Sequence, residues 1–228
     1  MNRTILIGHP PIEVHLHRST RAKRYSLRVS NADGRIRLTM PLRASERAAV
    51  DFAKRQEGWM RSALAKRPDR TVPAFGGEIL FEGRSVTLQP ATGRRVELMG
   101  DAIHIPGQPD AIAARLRGFL KVTARERLAD VTHHHAGQIG REVTRITLRD
   151  TRSRWGSCTQ DGNLMFSWRL VMAPPEVLKY VAVHEVAHLV EMNHSPSFWR
   201  VVEDLMPEYQ APRSWLKQHG SVLHSYQI

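Results

Sequence analysis

Residues 174–199 read PPEVLKYVAVHEVAHLVEMNHSPSFW, and this stretch decides how the rest of the chain is read. Pro174-Pro175-Glu176 opens a helix, with prolines where their missing N–H groups cost least and a carboxylate at the positive end of the dipole. Val181, Val183, Val186, Ala187, Leu189 and Val190 make that helix apolar enough to be buried. His184 and His188 stand four residues apart, so they share a face and can aim imidazole nitrogens at one point about 2.0–2.1 Å from each. Glu185 lies roughly 100° further round the helix. From there it can reach a water on an ion at that point without ligating the ion itself.

Two histidines four apart on a buried helix are more often satisfied core residues flanking an exposed glutamate. Three features weigh against that here: the helix has its own start signal, the motif sits mid-helix, and a third histidine follows. On an unbroken helix His194 would lie roughly 15 Å along the axis from His184 and roughly 9 Å from His188, too far to share an ion. A ligand role for His194 therefore needs a turn. Asn193 suits a left-handed helix-terminal position, and Ser195-Pro196 reads as the N-cap and first residue of a new helix. The expectation is one zinc ion held by His184, His188 and His194, with Glu191, Glu203 and Glu208 in reserve as ligands. Three neutral imidazoles leave a tetrahedral ion one position for a water whose pKa falls towards about 7, and Glu185 is the expected general base. Arg154, Trp155 and Tyr180 are conceivable oxyanion partners, but each reads more simply as a packing or surface residue.

Working outward, residues 12–17 alternate, with Ile12, Val14 and Leu16 against Glu13, His15 and His17. The same period of two returns in Tyr25, Leu27 and Val29 and in Ile36, Leu38 and Met40, with Asp33-Gly34 as the turn signal of a hairpin. Ser45 is the expected N-cap of a helix over residues 46–66, on whose apolar stripe Glu57 is an exception. Short strands are expected around 79–81, 85–89, 96–99 and 103–105. A long helix over 110–137 carries Ile112, Leu116, Phe119, Leu120, Leu128 and Val131 on one stripe. A strand over 143–149 and a second hairpin around Asp161-Gly162 lead into the histidine helix. Phe198, Trp199 and Leu205 are expected to pack beneath the site, and Trp215 and Leu216 to close the core. No internal repeat is visible. The class is α+β: a β-rich N-terminal lobe over 1–108 and a zincin-like catalytic lobe over 109–228, or one continuous domain.

Arg154-Trp155-Gly156-Ser157-Cys158, Asn163-Leu164, Ala173-Pro174-Pro175-Glu176, the His184–His188 motif, Asn193-His194-Ser195 and Phe198-Trp199 together resemble the YgjP-like metallopeptidases, relatives of the SprT-like and WLM zinc proteases. The likeness is densest over residues 145–200 and extends to the basic N-terminal hairpin and the helix carrying Trp59. It implies a β-rich lobe, a zinc-peptidase-type catalytic lobe and metal-dependent hydrolysis. It leaves the substrate open, because cleavage of nucleoside triphosphates is also attributed to this group. The histidine spacing equals that of metzincins, but Glu191 stands where they have glycine, so their Met-turn is not carried over. The leading reading is a metallopeptidase acting on protein or peptide. The alternatives are a zinc-dependent nucleoside triphosphate hydrolase and a nucleic-acid-associated protein with a metal site.

Other features exclude more than they assign. With 41% hydrophobic and 25% charged residues in 228, the chain is not expected to be disordered. No apolar run of about 18 residues suggests a membrane span. Ile5-Leu6-Ile7 is too short for a signal-peptide core. Cys158, the one cysteine, cannot form an internal disulfide, which points to the cytoplasm, and it reads as a small buried hydrophobe rather than a nucleophile. His133-His134-His135 reads as a helix end, not a second metal tract. Oligomeric state is not encoded in any feature recognised here.

A net charge of +12 favours polyanions, nucleotide or nucleic acid, but no nucleic-acid motif accompanies it, and a well-solvated arginine-rich surface is the simpler explanation. The two readings part on one measurement. If the basic hairpin binds nucleic acid, neutralising Arg21, Lys23, Arg24 and Arg28 together weakens retention and flattens its salt dependence. The solvated-surface reading expects no retention of DNA or RNA near 150 mM salt, where screening is strong.

Overall fold

The computed structural model describes residues 3–30, 34–65 and 68–228. Its contacts fall into two compact units, Met1–Asp69 and Arg70–Ile228, and the described residues form three small sheets and six α-helices.

In the first unit β1 (Arg3–Ile7), β2 (Ile12–Ser19), β3 (Ser26–Val29) and β4 (Ile36–Pro41) make one sheet in the order β1-β2-β4-β3. β2 and β4 run parallel, and the outer pairs are antiparallel. Period-two alternation buries Ile12, Val14, Leu16, Ile36, Leu38 and Met40 and turns Glu13, Arg28 and Arg37 to solvent. The expected hairpin is present, from Ser26 opposite Thr39 to Val29 opposite Ile36. Gly34 adopts φ +73°, while Asp33 lies outside the described residues.

The single helix expected over 46–66 is instead two, α1 (Glu46–Arg55) and α2 (Glu57–Ala65); Lys66 lies outside the described residues. Gln56 leaves helical geometry at φ −99°, ψ 10°, and its N–H is shared between the carbonyls of Phe52 and Ala53. Glu57, the exception on the apolar stripe, turns its carboxylate to Arg61 at 2.7 Å. A Cβ on Gly8 would collide with that carboxylate, so glycine makes room for the pair. Ser45 occupies the N-cap position of α1, but its side chain makes no capping hydrogen bond.

The second unit opens with β5 (Glu78–Phe81), β6 (Arg84–Ala91), β7 (Glu97–Met99) and β8 (Ala102–Pro106), in the order β5-β6-β8-β7. This repeats the arrangement of the first sheet, parallel centre and antiparallel flanks included, without a visible repeat in sequence. α3 (Ile112–Gln138) follows, burying Ile112, Leu116, Leu120 and Leu128 as read, with Phe119 and Val131 partly buried. The third sheet comprises β9 (Arg145–Arg149), β10 (Gly156–Cys158) and β11 (Asn163–Ser167) in the order β10-β11-β9. The β10–β11 hairpin turns at Gly162, φ +74°. A buried 3-10 turn over Trp168–Met172 then leads to α4 (Pro175–Ala187), α5 (Pro196–Leu205) and α6 (Gln210–His219).

The units divide at Asp69/Arg70 in the chain. The reason lies in the core. Ile79, Phe81, Val86, Leu88, Ile103 and Ile105 close against the same buried cluster as Leu116 of α3 and Val183 of α4, so the second β-ribbon belongs with the helices that cover it. No helix among the described residues is long and apolar enough to cross a membrane.

One buried cation ties this unit together. Arg169, whose side chain is 7% exposed, donates through Nε and Nη2 to the Asp150 carboxylate at 2.7 and 3.1 Å. Its Nη1 donates to the carbonyls of Leu223 and Tyr226 at 2.9 and 3.1 Å, anchoring the chain's last turn. Arg169→Ala would leave those acceptors unmet and is expected to cost about 2–4 kcal/mol in urea denaturation; Arg169→Lys should recover little, having no fork. Burial works against ionising Asp150, but Arg169 outweighs it and holds the carboxyl below its ordinary 3.8. This contribution is therefore complete above pH 3.8 and disappears as pH falls through the lower folded value, and Asp150→Asn should remove that acid-side dependence.

Candidate metal centre

α4 ends at Ala187, so His188 is already its C-terminal cap. The chain then turns through tight N–H contacts from Leu189 to Val186 and from Glu191 to Ala187. This is earlier than the turn expected at Asn193, which does not take a left-handed conformation. Asn193 works through its side chain instead, with Oδ1 accepting the Ser195 N–H at 2.8 Å. Ser195 caps α5 as read, accepting from the Phe198 N–H, with Pro196 in the first turn.

The reversal brings His194 back onto His184. Their Nε2 atoms lie 3.0 Å apart, and one ring nitrogen from each of His184, His188 and His194 falls within 4.8 Å of the others. Donors about 2.1 Å from a tetrahedral ion are roughly 3.4 Å apart, so the arrangement is of the right size. It is the one such cluster among the described residues. His133 and His134 are exposed and His135 engages the Val131 carbonyl. Glu203 and Glu208 are exposed and outside the cluster; Glu191 contributes its carbonyl, which accepts from His188 Nδ1 at 2.9 Å. That bond puts the proton on Nδ1 and frees the Nε2 lone pair.

Beneath the rings Phe198, fully buried, lies 4.9, 4.5 and 4.8 Å from the centroids of His184, His188 and His194. Burial, with the neighbouring imidazoles and Arg213 adding to it, lowers His184 to about 3. Burial likewise lowers His188, against the pull of the Glu191 carbonyl. Both rings are thus neutral at physiological pH, the form that ligates a metal. His184 Nδ1 is buried without a hydrogen-bond partner. A shared proton could satisfy one pair of the facing nitrogens, whereas a cation satisfies all three, and this donor set suits zinc.

Glu185 is 5% exposed, and burial raises its carboxyl to about 8, with the Arg154 charge acting against the rise. It can therefore exchange a proton near neutral pH. A recess of about 240 Å³ joins Glu185 and the three imidazoles to Gly156, Ser157, Cys158 and Met192. Burial first, then Glu185, pushes the Cys158 thiol up to about 11, which suits its reading as an unreactive group. Arg154, Trp155 and Tyr180 line an adjoining recess that shares Gly156, His184 and Glu185.

Sequence reasoning passed over Gly156. A Cβ there would stand 2.5–2.8 Å from Oε1, Cγ and Cδ of Glu185, so Glu185 can lie against the β10 backbone only because residue 156 is glycine. A glycine inside a strand pattern is the available signal of such a close approach.

A family model described as YgjP-like, metallopeptidase domain, matches residues 23–219. The crystal structure of the metallopeptidase zymogen of Pyrococcus abyssi abylysin is similar to 42% of this chain and 94% of its own, at 22% identity and TM-score 0.37. No curated protein matches the chain.

The glycine contact is directly testable. Gly156→Ala must displace Glu185 or bend β10, an overpacking cost of about 1–3 kcal/mol, while leaving the imidazoles alone. The variant should bind metal as the parent does, shown by competition with a chromophoric chelator, and should lose most of any Glu185-dependent turnover. Full turnover in Gly156→Ala would mean that Glu185 is free to act elsewhere.

Proposed function

The chain belongs to the YgjP-like metallopeptidase family, and from that premise we propose a zinc-dependent hydrolase that cuts peptide bonds at the His184, His188 and His194 cluster. The observation that carries this reading is the position of β10. It is an outer strand of its sheet, and Gly156, Ser157 and Cys158 line the same recess as Glu185 and the imidazoles. An outer strand offers unpaired backbone N–H and C=O groups along one edge, which an extended peptide can pair with. A peptide seated there runs past the reacting groups.

The three imidazoles are the proposed ligands, His188 oriented by the Glu191 carbonyl and all three supported by Phe198. Zinc held by them would supply Lewis acidity towards the scissile carbonyl. Glu185 takes a proton from the attacking water as the water oxygen bonds to the carbonyl carbon. It then delivers that proton to the departing amine nitrogen as the C–N bond breaks. Its burial keeps bulk water from competing for the proton. The zincin-like description of the catalytic unit and a cytoplasmic setting belong to this same reading.

Nucleoside triphosphates would call for several cations around the phosphates. The recesses at the cluster hold one arginine, Arg154. A separate cavity of about 950 Å³ does present Arg94 and Arg95, but no cluster residue lines it, so its size is no guide to the chemistry.

Purified protein is expected to carry about one zinc per chain, and alanine at His184, His188 or His194 should each weaken zinc by more than the 10–100-fold typical of an outer-shell change. Glu185→Gln should keep zinc and lose about 10²–10⁴-fold in turnover. The zinc-loaded protein is to be given an unfolded protein and a peptide library and, separately, nucleoside triphosphates, with Glu185→Gln as control. Glu185-dependent pyrophosphate release without any peptide cut would overturn the peptidase reading. Unchanged zinc affinity in His194→Ala would remove the third ligand.

A further inference from the structure

The recess beside the cluster, about 230 Å³, has a lining unlike its neighbour's. Trp155, Tyr180, Val181 and Leu216 form apolar walls around Glu185, and Arg154 supplies the one positive charge. The walls are held from outside. Trp155 stacks on His224 at 4.8 Å and 24°, and a Cβ on Gly220 would stand 3.0 Å from its ring. Tyr180 stacks on Tyr209, which stacks on Trp199. The recess is therefore built before any ligand arrives.

The Arg154 charge is felt by Glu185 but has no direct partner. The exposed Arg154 guanidinium makes no hydrogen bond or ion pair among the described residues, and Thr151 engages only its backbone carbonyl. The nearby acid of its own loop, Asp150, is committed to Arg169 through both carboxylate oxygens. Arg213, 4.4 Å over the Trp199 ring, adds positive charge around Tyr180 and His184. Glu185, the acid in the lining, is the proton carrier of the proposed reaction. Such a lining fits an anion with a short apolar stem.

We propose that this recess binds a carboxylate of the substrate, on a glutamate or aspartate side chain near the scissile bond or at the substrate's C-terminus. The inference rests on the peptidase reading and narrows it to acidic peptides or to trimming from a free C-terminus. The stem lies against Val181, Leu216 and Trp155, and the carboxylate accepts the forked N–H groups of Arg154. Arg154 is a specificity residue here, acting through substrate position.

Binding can be read without turnover, using zinc-loaded Glu185→Gln and fluorescent peptides by anisotropy. One arm compares glutamate with glutamine at each position, and the other a free with an amidated C-terminus. The expected result is at least tenfold tighter binding of the carboxylate form in one arm, which also identifies its source. Arg154→Ala should bring that ratio near one, and Arg154→Glu should reverse it in favour of lysine. Equal binding of carboxylate and neutral peptides, no peptide binding at all, or an equal loss for every peptide in Arg154→Ala would overturn the proposal. Cleavage by the zinc-loaded parent is scored separately. Failure to cut any peptide counts against the proposed reaction, while the binding ratio still decides the recess.

Discussion

An imidazole ligates a cation only while neutral, and three can share one only if the backbone carries their nitrogens to within a few ångströms. Both conditions trace to the early end of α4. Because the helix stops at Ala187, the chain reverses in time for His194 Nε2 to lie 3.0 Å from His184 Nε2. The reversal also places the Glu191 carbonyl on His188 Nδ1, which selects the useful tautomer. Phe198 then arrives from α5 beneath all three rings. Burial there disfavours the charged forms of His184 and His188 and so keeps their lone pairs available.

The carboxylate of Glu185 is placed by a different contact. It faces β10, and the strand can come that close only at Gly156. The same approach sets the outer edge of a three-stranded sheet beside the imidazoles. An outer strand, a buried carboxylate and three clustered imidazoles are thereby assembled from β10, α4 and the turn before α5. Arg169 secures the surroundings, linking Asp150 at the end of β9 to the carbonyls of the last turn. That turn contributes His224, which supports Trp155 in the adjoining recess.

Much of this was legible in the sequence because it is local. Period-two alternation located β2, β3 and β4, short extended runs located β5 to β8, β1 was not anticipated, and the apolar stripe of α3 was read to within a residue or two of Ile112–Gln138. Pro174-Pro175 and Ser195-Pro196 marked helix starts because proline at the first turn constrains its own backbone. The misreadings were of a different kind. Residues 46–66 have helical propensity apart from Gly58, and Gln56 itself is neither glycine nor proline. Asn193 was given a left-handed backbone, yet the chain had already turned and the residue served through its side chain. Which strands belong to one unit is likewise decided by a buried core and not by a change in composition.

By itself the sequence determined the candidate donors and their order, imidazoles at 184, 188 and 194 and a carboxylate at 185, and the helix starts at Pro174-Pro175 and Ser195-Pro196. These follow from residue identity and from spacings within one helix turn, which the 3.6-residue period converts into shared faces. Tertiary structure decided what stands opposite each donor. That Gly156 admits Glu185, that Phe198 supports three rings, and that Arg154 faces a recess while Asp150 is committed elsewhere are contacts between distant segments. No local spacing encodes them, because they come from how buried surfaces close on one another.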